Sequence, residues 1–94
     1  MLFVIRCIDK KDHLSVRMET RAAHLEYVGV LGNKLVSAGP TLDPETGDMN
    51  GSILILDLEN RSEAEKFCEN DPYALAGLFD SVEIMNWKKV LPAN

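Results

Sequence analysis

Apolar and polar residues recur along the chain with two different spacings. Residues 2–8 form an apolar run rich in β-branched and aromatic side chains, which predicts a strand. From Asp12 onward the apolar residues recur at steps of three and four, which predicts an amphipathic helix with one apolar stripe toward the sheet. That stripe consists of Leu14, Met18, Ala22 and Leu25. We expect the helix to end near Gly32 and Asn33, which tolerate the left-handed conformation common at helix ends.

Three further apolar runs predict strands in the remainder of the chain. They cover residues 35–39, 52–59 and 81–90. We expect Pro40 to stop the first of them, because proline cannot donate the hydrogen bond that a strand ladder needs. The polar segment 41–50, between the first and second runs, predicts a loop.

A second helix is predicted over residues 60–70. The segment begins with two overlapping capping signals, at Asn60 and at Ser62, and either register would start a helix. Pro72 disfavours the α conformation at the residue before it, so we expect this helix to end at Asp71. The YALAGLF segment that follows is interpreted as a short connection to the last strand.

The predicted order of elements is βαββαβ. Right-handed crossovers then place both helices on one face of a four-stranded antiparallel sheet. The expected fold is therefore an α+β ferredoxin-like sandwich, formed by residues 1–94 as a single domain. A domain of this length has only a modest core of its own.

Both faces of the predicted sheet carry apolar side chains. In the first strand Val4 and Ile8 lie on one face, whereas Phe3 and Ile5 lie on the other. Two helices cover only one face, and a large uncovered apolar face tends to associate. We therefore expect a homodimer in which the uncovered sheet faces of two copies pack together, with assembly beyond the dimer left open.

Charge and composition narrow the function classes. The formal net charge of −5 disfavours nucleic acid as a partner. The first apolar run contains Arg6 and is too short for a signal peptide, and no stretch approaches the roughly 20 apolar residues of a membrane span. We expect a cytoplasmic protein with no membrane partner. Cys7 and Cys68 lie in apolar contexts and are interpreted as buried thiols rather than as a disulfide or metal ligands.

Two polar residues stand out against this background. His24 lies beside the apolar stripe of the first helix, on the same flank as Arg17 and Arg21. Asp71 follows Ala64 by two helical turns, so the period aims its carboxylate inward, where it needs a partner. We therefore predict that His24 and Asp71 meet. Asp71 could instead, or in addition, serve as the N-cap of the segment that begins with proline.

With these residues placed, the sequence resembles the YciI-like (YCII-related) family over nearly its whole length. The matching segments are MLFVIRCIDK at the N-terminus, RAAHL (21–25), SAGP (37–40), Gly51-Ser52, DPY (71–73) with Gly77, and WKKV (87–90). The resemblance implies a dimeric α/β barrel. It also implies that His24 and Asp71 form an active-site dyad in a cleft between the helices and the sheet.

The resulting hypothesis is an enzyme for a small polar or aromatic molecule, with lyase or isomerase chemistry and neither cofactor nor metal. His24 would move the proton, because imidazole gives and takes protons near neutral pH, and Asp71 would orient it. The predicted substrate contacts are Arg21, Ser37, Gly39 and Tyr73, and Arg21 would suit an anionic substrate. The alternative is a non-catalytic dimeric module, a small-ligand binder or accessory protein, in which the same pair is a structural clasp.

Overall fold

The computed structural model describes residues 1–93 and contains one sheet and three α-helices. The elements are β1 (Leu2–Asp9), α1 (Leu14–Gly29), β2 (Leu35–Leu42), β3 (Met49–Asp57), α2 (Arg61–Asn70), α3 (Pro72–Leu75) and β4 (Phe79–Trp87). The strands pair antiparallel in the order β2-β3-β1-β4. The predicted α+β ferredoxin-like fold is confirmed, and α3 is a short additional helix in the segment interpreted as a connection.

The core lies between the sheet and α2, with one end of α1 completing it. Phe3 and Ile5 of β1 lie opposite Leu56 and Leu54 of β3, and residues directly opposite in an antiparallel pair share a face. These four side chains are at most 1% exposed and pack in one cluster with Phe67 of α2. Among residues 1–93, four of the six largest fully buried side chains therefore belong to the β1–β3 pair at the centre of the sheet.

The predicted orientation of α1 is wrong. The structure exposes all four residues of the predicted apolar stripe, Leu14, Met18, Ala22 and Leu25. The buried residues of α1 are instead Arg17, His24 and Val28, whose spacings of seven and eleven bring them to one helix face. Two of these three are polar, and each has a hydrogen-bond partner from another element. The spacing of apolar residues does not reveal such hydrogen-bond partners, and these partners determine which face of α1 points toward the interior.

Strand boundaries differ from the prediction mainly around Pro40. The second strand does not stop there but continues to Leu42, with Pro40 opposite Ser52. β2 is an edge strand, where a missing N–H donor can face away from the sheet at little cost. The other boundaries shift by two or three residues: α1 begins at Leu14, β3 covers Met49–Asp57 and β4 covers Phe79–Trp87.

A bulge interrupts the β2–β3 ladder at Val36. Leu35 lies opposite Leu56, but Ser37 lies opposite Ile55, so β2 contains one extra residue between these pairs. The side chains of β2 after Val36 therefore change faces relative to a regular strand.

The start of α2 uses the capping groups that the sequence offers, whereas α1 begins without a side-chain cap at His13. At the start of α2 the Asn60 side chain accepts a hydrogen bond from the Glu63 amide, and this selects one of the two capping registers left open by the sequence. The Glu63 side chain in turn accepts from the amide of Glu59. No helix among residues 1–93 is both long enough and apolar enough to cross a membrane.

The sheet face away from the helices carries apolar side chains around Arg6 and Glu83 and is uncovered in the single chain. Ile8, Met85 and Trp87 on this face are about two-fifths exposed, and Ile53 and Ile55 are partly exposed. A second copy packed on this face would cover these side chains. The homodimer remains a prediction.

Candidate active site

A cavity of about 270 Å³ opens between α1 and the β2–β3 side of the sheet. Its wall joins Arg17, Arg21 and His24 of α1 to Ser52 of β3 and Tyr73 of α3. An engineered protein cavity of about 150 Å³ holds benzene. The cavity therefore has room for a molecule the size of one substituted six-membered ring.

The structure brings His24 and Asp71 together at the wall of this cavity, with His24 lining it and Asp71 behind His24. His24 Nδ1 lies 2.8 Å from Asp71 Oδ1, and both side chains are less than a tenth exposed. An ionised carboxylate only accepts hydrogen bonds, so Nδ1 carries the hydrogen and donates it. His24 Nε2 has no hydrogen-bond partner among residues 1–93. In that range, every side-chain nitrogen or oxygen that is fully buried does have a partner, so Nε2 is not fully buried. Nε2 is therefore accessible, and His24 lines the cavity.

The chain path between two helices positions the Asp71 carboxylate. Asp71 ends α2 in an extended conformation and is also the N-cap of α3, with Pro72 as the first helical residue. Its Oδ1 accepts from the Tyr73 amide at 2.9 Å as well as from His24. The two roles that the sequence left open are thus both filled, by the same oxygen atom.

The ring of Tyr73 supports the imidazole. The two ring centroids are 3.9 Å apart and the planes differ by 16°, so the rings stack. Tyr73 is 1% exposed. Burial raises the pKa of the Tyr73 hydroxyl, and the nearby Arg17 and Arg21 only partly offset this. The phenol stays protonated at neutral pH and acts as a packed wall beside His24.

A second buried ion pair forms the inner wall of the cavity. Arg17 Nε donates to Asp9 Oδ2 at 2.7 Å, and Arg17 Nη2 donates to Asp9 Oδ1 and to Ser52 Oγ, both at 2.9 Å. Burial acts to lower the pKa of Arg17, but the hydrogen bonds and charge of Asp9 outweigh it and raise that pKa. The guanidinium also lies over the Tyr73 ring, 4.6 Å from its centroid. Arg17 is therefore a fixed cation.

Three of the four predicted substrate contacts line the cavity. Arg21, Gly39 and Tyr73 do so, and Arg21 is exposed. Ser37 does not, because the bulge at Val36 pairs it with Ile55 on the opposite face of the sheet. Its cavity-facing neighbours on β2 are Ala38 and Pro40.

The sequence prediction left three polar residues of the site without a role. In the sequence, Arg17 is only a neighbour of His24 on the helix flank, and Asp9 only follows the first predicted strand. Ser52 begins the third predicted strand and belongs to the Gly51-Ser52 match of the family resemblance, which assigns it no role. The seven-residue spacing places Arg17 and His24 on one flank of the helix, but it does not reveal that Arg17 pairs with Asp9 and Ser52. Among residues 1–93, no group of three or more side chains of the types that bind metal ions gathers in one place.

Comparison with known proteins places the chain in a family. The model of the YCII-related domain matches residues 1–88. The chain belongs to this family. Protein YciI of Escherichia coli, a relative of this YCII-related chain, is 35% identical over 97 aligned residues, covering 96% of this chain and 99% of the relative.

Solved structures give two further comparisons for the YCII-related chain. A 5-chloro-2-hydroxyhydroquinone dehydrochlorinase from Burkholderia phenoliruptrix, in complex with 2,5-dihydroxybenzoquinone, is 43% identical, with 94% of each chain covered and a TM-score of 0.90. A cofactor-independent oxygenase from Streptomyces nogalater, SnoaB, is 12% identical, with 98% of this chain and 96% of that chain covered and a TM-score of 0.61. The second likeness concerns the fold alone.

Proposed function

We propose that this YCII-related chain is an enzyme that moves a proton on a small polar or aromatic molecule, with His24 as the acid/base group. The observation that carries the proposal is the buried His24–Asp71 hydrogen bond of 2.8 Å, with Nε2 of the same ring accessible from a cavity. A general base needs one oriented nitrogen and one free nitrogen, and this arrangement supplies both.

The position of the hydrogen on the His24 ring implies that the first step is removal of a proton from the substrate. Because Nδ1 holds its hydrogen against Asp71, the neutral ring presents an unprotonated Nε2. Nε2 takes a proton from the substrate, and the carboxylate of Asp71 stabilises the imidazolium that forms. The same nitrogen then returns the proton to another atom of the substrate or releases it to solvent. Return of the proton to another atom of the substrate gives isomerisation. In elimination, the electron pair left by the proton forms a double bond and expels the leaving group, such as chloride, to solvent, and Nε2 then releases its proton to solvent. Both reactions use no group beyond the side chains of the chain.

The similar dehydrochlorinase supports this class of chemistry. Dehydrochlorination is the removal of a proton and a chloride from one molecule, which calls for a base. The likeness to that protein covers nearly the whole of both chains at 43% identity. The cavity volume fits one substituted ring, as in the hydroquinone and benzoquinone named for that protein. Elimination from a small ring compound is therefore the first reaction to test.

We further propose that Arg21 binds an anionic group of the substrate and that the active protein is a homodimer. Arg21 is exposed at the cavity and forms no ion pair with another residue in the range 1–93, so its charge is available to an anionic group of the substrate. The working form is a homodimer that covers the apolar sheet face. Both cysteines are free, which suits the reducing cytoplasm.

The test is turnover by a His24→Gln variant. Glutamine carries an amide but no group that can act as a base near neutral pH. With 5-chloro-2-hydroxyhydroquinone as the first substrate and chloride release as the readout, we expect the variant to lose activity by about 100-fold or more. Ser37→Ala is the matched control, since Ser37 lies on the other face of the sheet. Undiminished turnover by His24→Gln would remove the dyad from the chemistry.

The double role of Asp71 favours a second candidate, a ligand-binding module in which the pair is a structural clasp. Asp71 Oδ1 joins α1 to the start of α3 through its two hydrogen bonds. A pure clasp predicts that His24→Gln changes stability but no measured activity. An enzyme predicts loss of turnover in a variant that remains folded, and circular dichroism and a thermal melt of the same preparation separate the two.

A further inference from the structure

The bulge at Val36 decides which side chains β2 presents to the cavity. One extra residue in β2 brings Ala38 opposite Leu54, which is 1% exposed and belongs to the core under the helices. Residues directly opposite in an antiparallel pair share a face, so the Ala38 methyl group also points toward the helices, and both residues line the cavity. In a regular strand Ser37 would occupy this place, but the bulge turns it to the other face. The wall therefore has a methyl group where a regular strand would have a hydroxyl.

The whole wall that β2 forms is without polar side chains. Within the described chain, four residues of this strand line the cavity, and none of them has a side-chain atom that donates or accepts a hydrogen bond. They are Leu35, Ala38, Gly39 and Pro40. Leu54 and Met49 of β3 continue the same apolar surface. An apolar group bound against this wall leaves water without costing any hydrogen bond.

The polar side chains of the cavity lie mainly on α1, across from this wall. His24 and Arg21 belong to α1, and Tyr73 stacks on the imidazole. Ser52 is the polar residue on the sheet side, and its hydroxyl already accepts a hydrogen bond from Arg17. A ring whose polar groups meet α1 therefore turns its other edge toward β2.

We propose that Ala38 is a specificity-determining residue of the site, and that the β2 wall binds an apolar substituent of about methyl size on the substrate ring. This inference rests on the proposed function and narrows its substrate class to rings with polar groups along one edge and an apolar group along the other. Ala38 is exposed although it faces the helices, so the space in front of its methyl group is open to such a substituent. A longer side chain at this position would fill that space.

The test compares hydroquinone with methylhydroquinone, two uncharged rings that differ by one methyl group. Binding is measured by calorimetry or by amide shifts in NMR spectra, under nitrogen so that the rings stay reduced, and no turnover is required. The wild-type chain should bind methylhydroquinone about fourfold more tightly, the gain expected when one methyl-sized group leaves water. Equal affinity for the two compounds, including no detectable binding of either, would overturn the proposal.

Ala38→Leu assigns the preference to the wall. Its side chain would occupy the place of the methyl substituent, so methylhydroquinone should bind no more tightly than hydroquinone, and hydroquinone should stay within about threefold of its wild-type affinity. Ser37→Leu is the matched control, because it adds a leucine at the neighbouring position on the other face of the sheet, and it should keep the preference. Thermal melts show that both variants are folded. A preference that survives in Ala38→Leu or is lost in Ser37→Leu refutes the assignment, and so does loss of hydroquinone binding in Ala38→Leu.

Ala38→Gly should have an opposite effect that damage to the fold cannot produce. Removal of the methyl group leaves more room before the wall, so the affinity for tert-butylhydroquinone relative to hydroquinone should rise by about threefold or more. An unchanged or lower ratio would show that position 38 does not limit the substituent. These binding outcomes are independent of His24→Gln turnover, so the proposed reaction and the proposed substituent site can fail separately.

Discussion

Substitution of Asp71 tests how much one oxygen atom contributes to the stability of the fold. Its Oδ1 accepts hydrogen bonds from the Tyr73 amide and from His24 Nδ1, and the side chain is almost fully buried. In Asp71→Ala the loss of an N-cap costs about 1 kcal/mol. The buried imidazole N–H left without an acceptor costs about 2 kcal/mol more. We therefore expect the free energy of unfolding to fall by about 3 kcal/mol, near the lower end of what breaking a buried pair costs.

Asp71→Asn is the matched control for this prediction. The amide oxygen of asparagine can accept both hydrogen bonds, so we expect a loss of about 1 kcal/mol or less. The charge that stabilises the imidazolium is nevertheless gone, so turnover should fall in both variants. Urea unfolding followed by far-ultraviolet circular dichroism gives the free energies. All samples need one protein concentration, because dimerisation would contribute to stability. An Asp71→Ala variant within 1 kcal/mol of the wild type would refute the reasoning.

Two further predictions concern residues outside the dyad. A Cβ at Gly51 would overlap the Cys7 carbonyl oxygen, whereas one at Gly39 would meet nothing within 4 Å. Gly51→Ala should therefore lower the melting temperature by several degrees, and an equal effect of Gly39→Ala would contradict this. Burial raises the pKa of Cys7 to about 12 and that of Cys68 to about 11, so iodoacetamide at pH 8 should modify the native protein far more slowly than the urea-unfolded protein. Because the unfolded thiols ionise first, near pH 9, stability should fall as the pH rises from 9 to 11, and Cys68→Ala should reduce that fall.

The contact between His24 and Asp71 could be predicted because the buried residues of α2 recur at a regular helical spacing. Asp71 continues the spacing of the buried Ala64 and Phe67 in α2, and this period aimed the carboxylate at the core. The topology followed in the same way from the alternation of strands and helices. A signal that repeats along an element can be recognised without knowledge of the partner.

The misassigned features depend on single long-range partners. The inward face of α1 is set by hydrogen bonds from Arg17 and His24 to residues on other elements. Hydrophobic spacing favours a face about a quarter turn away. Ser37 was expected in the cleft, but one extra residue at Val36 reverses the faces of β2. Pro40 lies within a strand because that strand is at the sheet edge, a position known only from the assembled order.

The shared oxygen of Asp71 gives the dyad an unequal pattern of mutational tolerance. His24 makes one hydrogen bond, to Asp71, so replacing it would disturb the corner between α2 and α3 only a little. Asp71 also accepts a hydrogen bond from the Tyr73 amide, the first amide N–H of α3. Under the proposed function, a descendant that abandoned its chemistry would be free to change the histidine early and would keep an oxygen-bearing residue at position 71 for much longer. An acidic or amide side chain that survives alone in this corner would then mark a former enzyme.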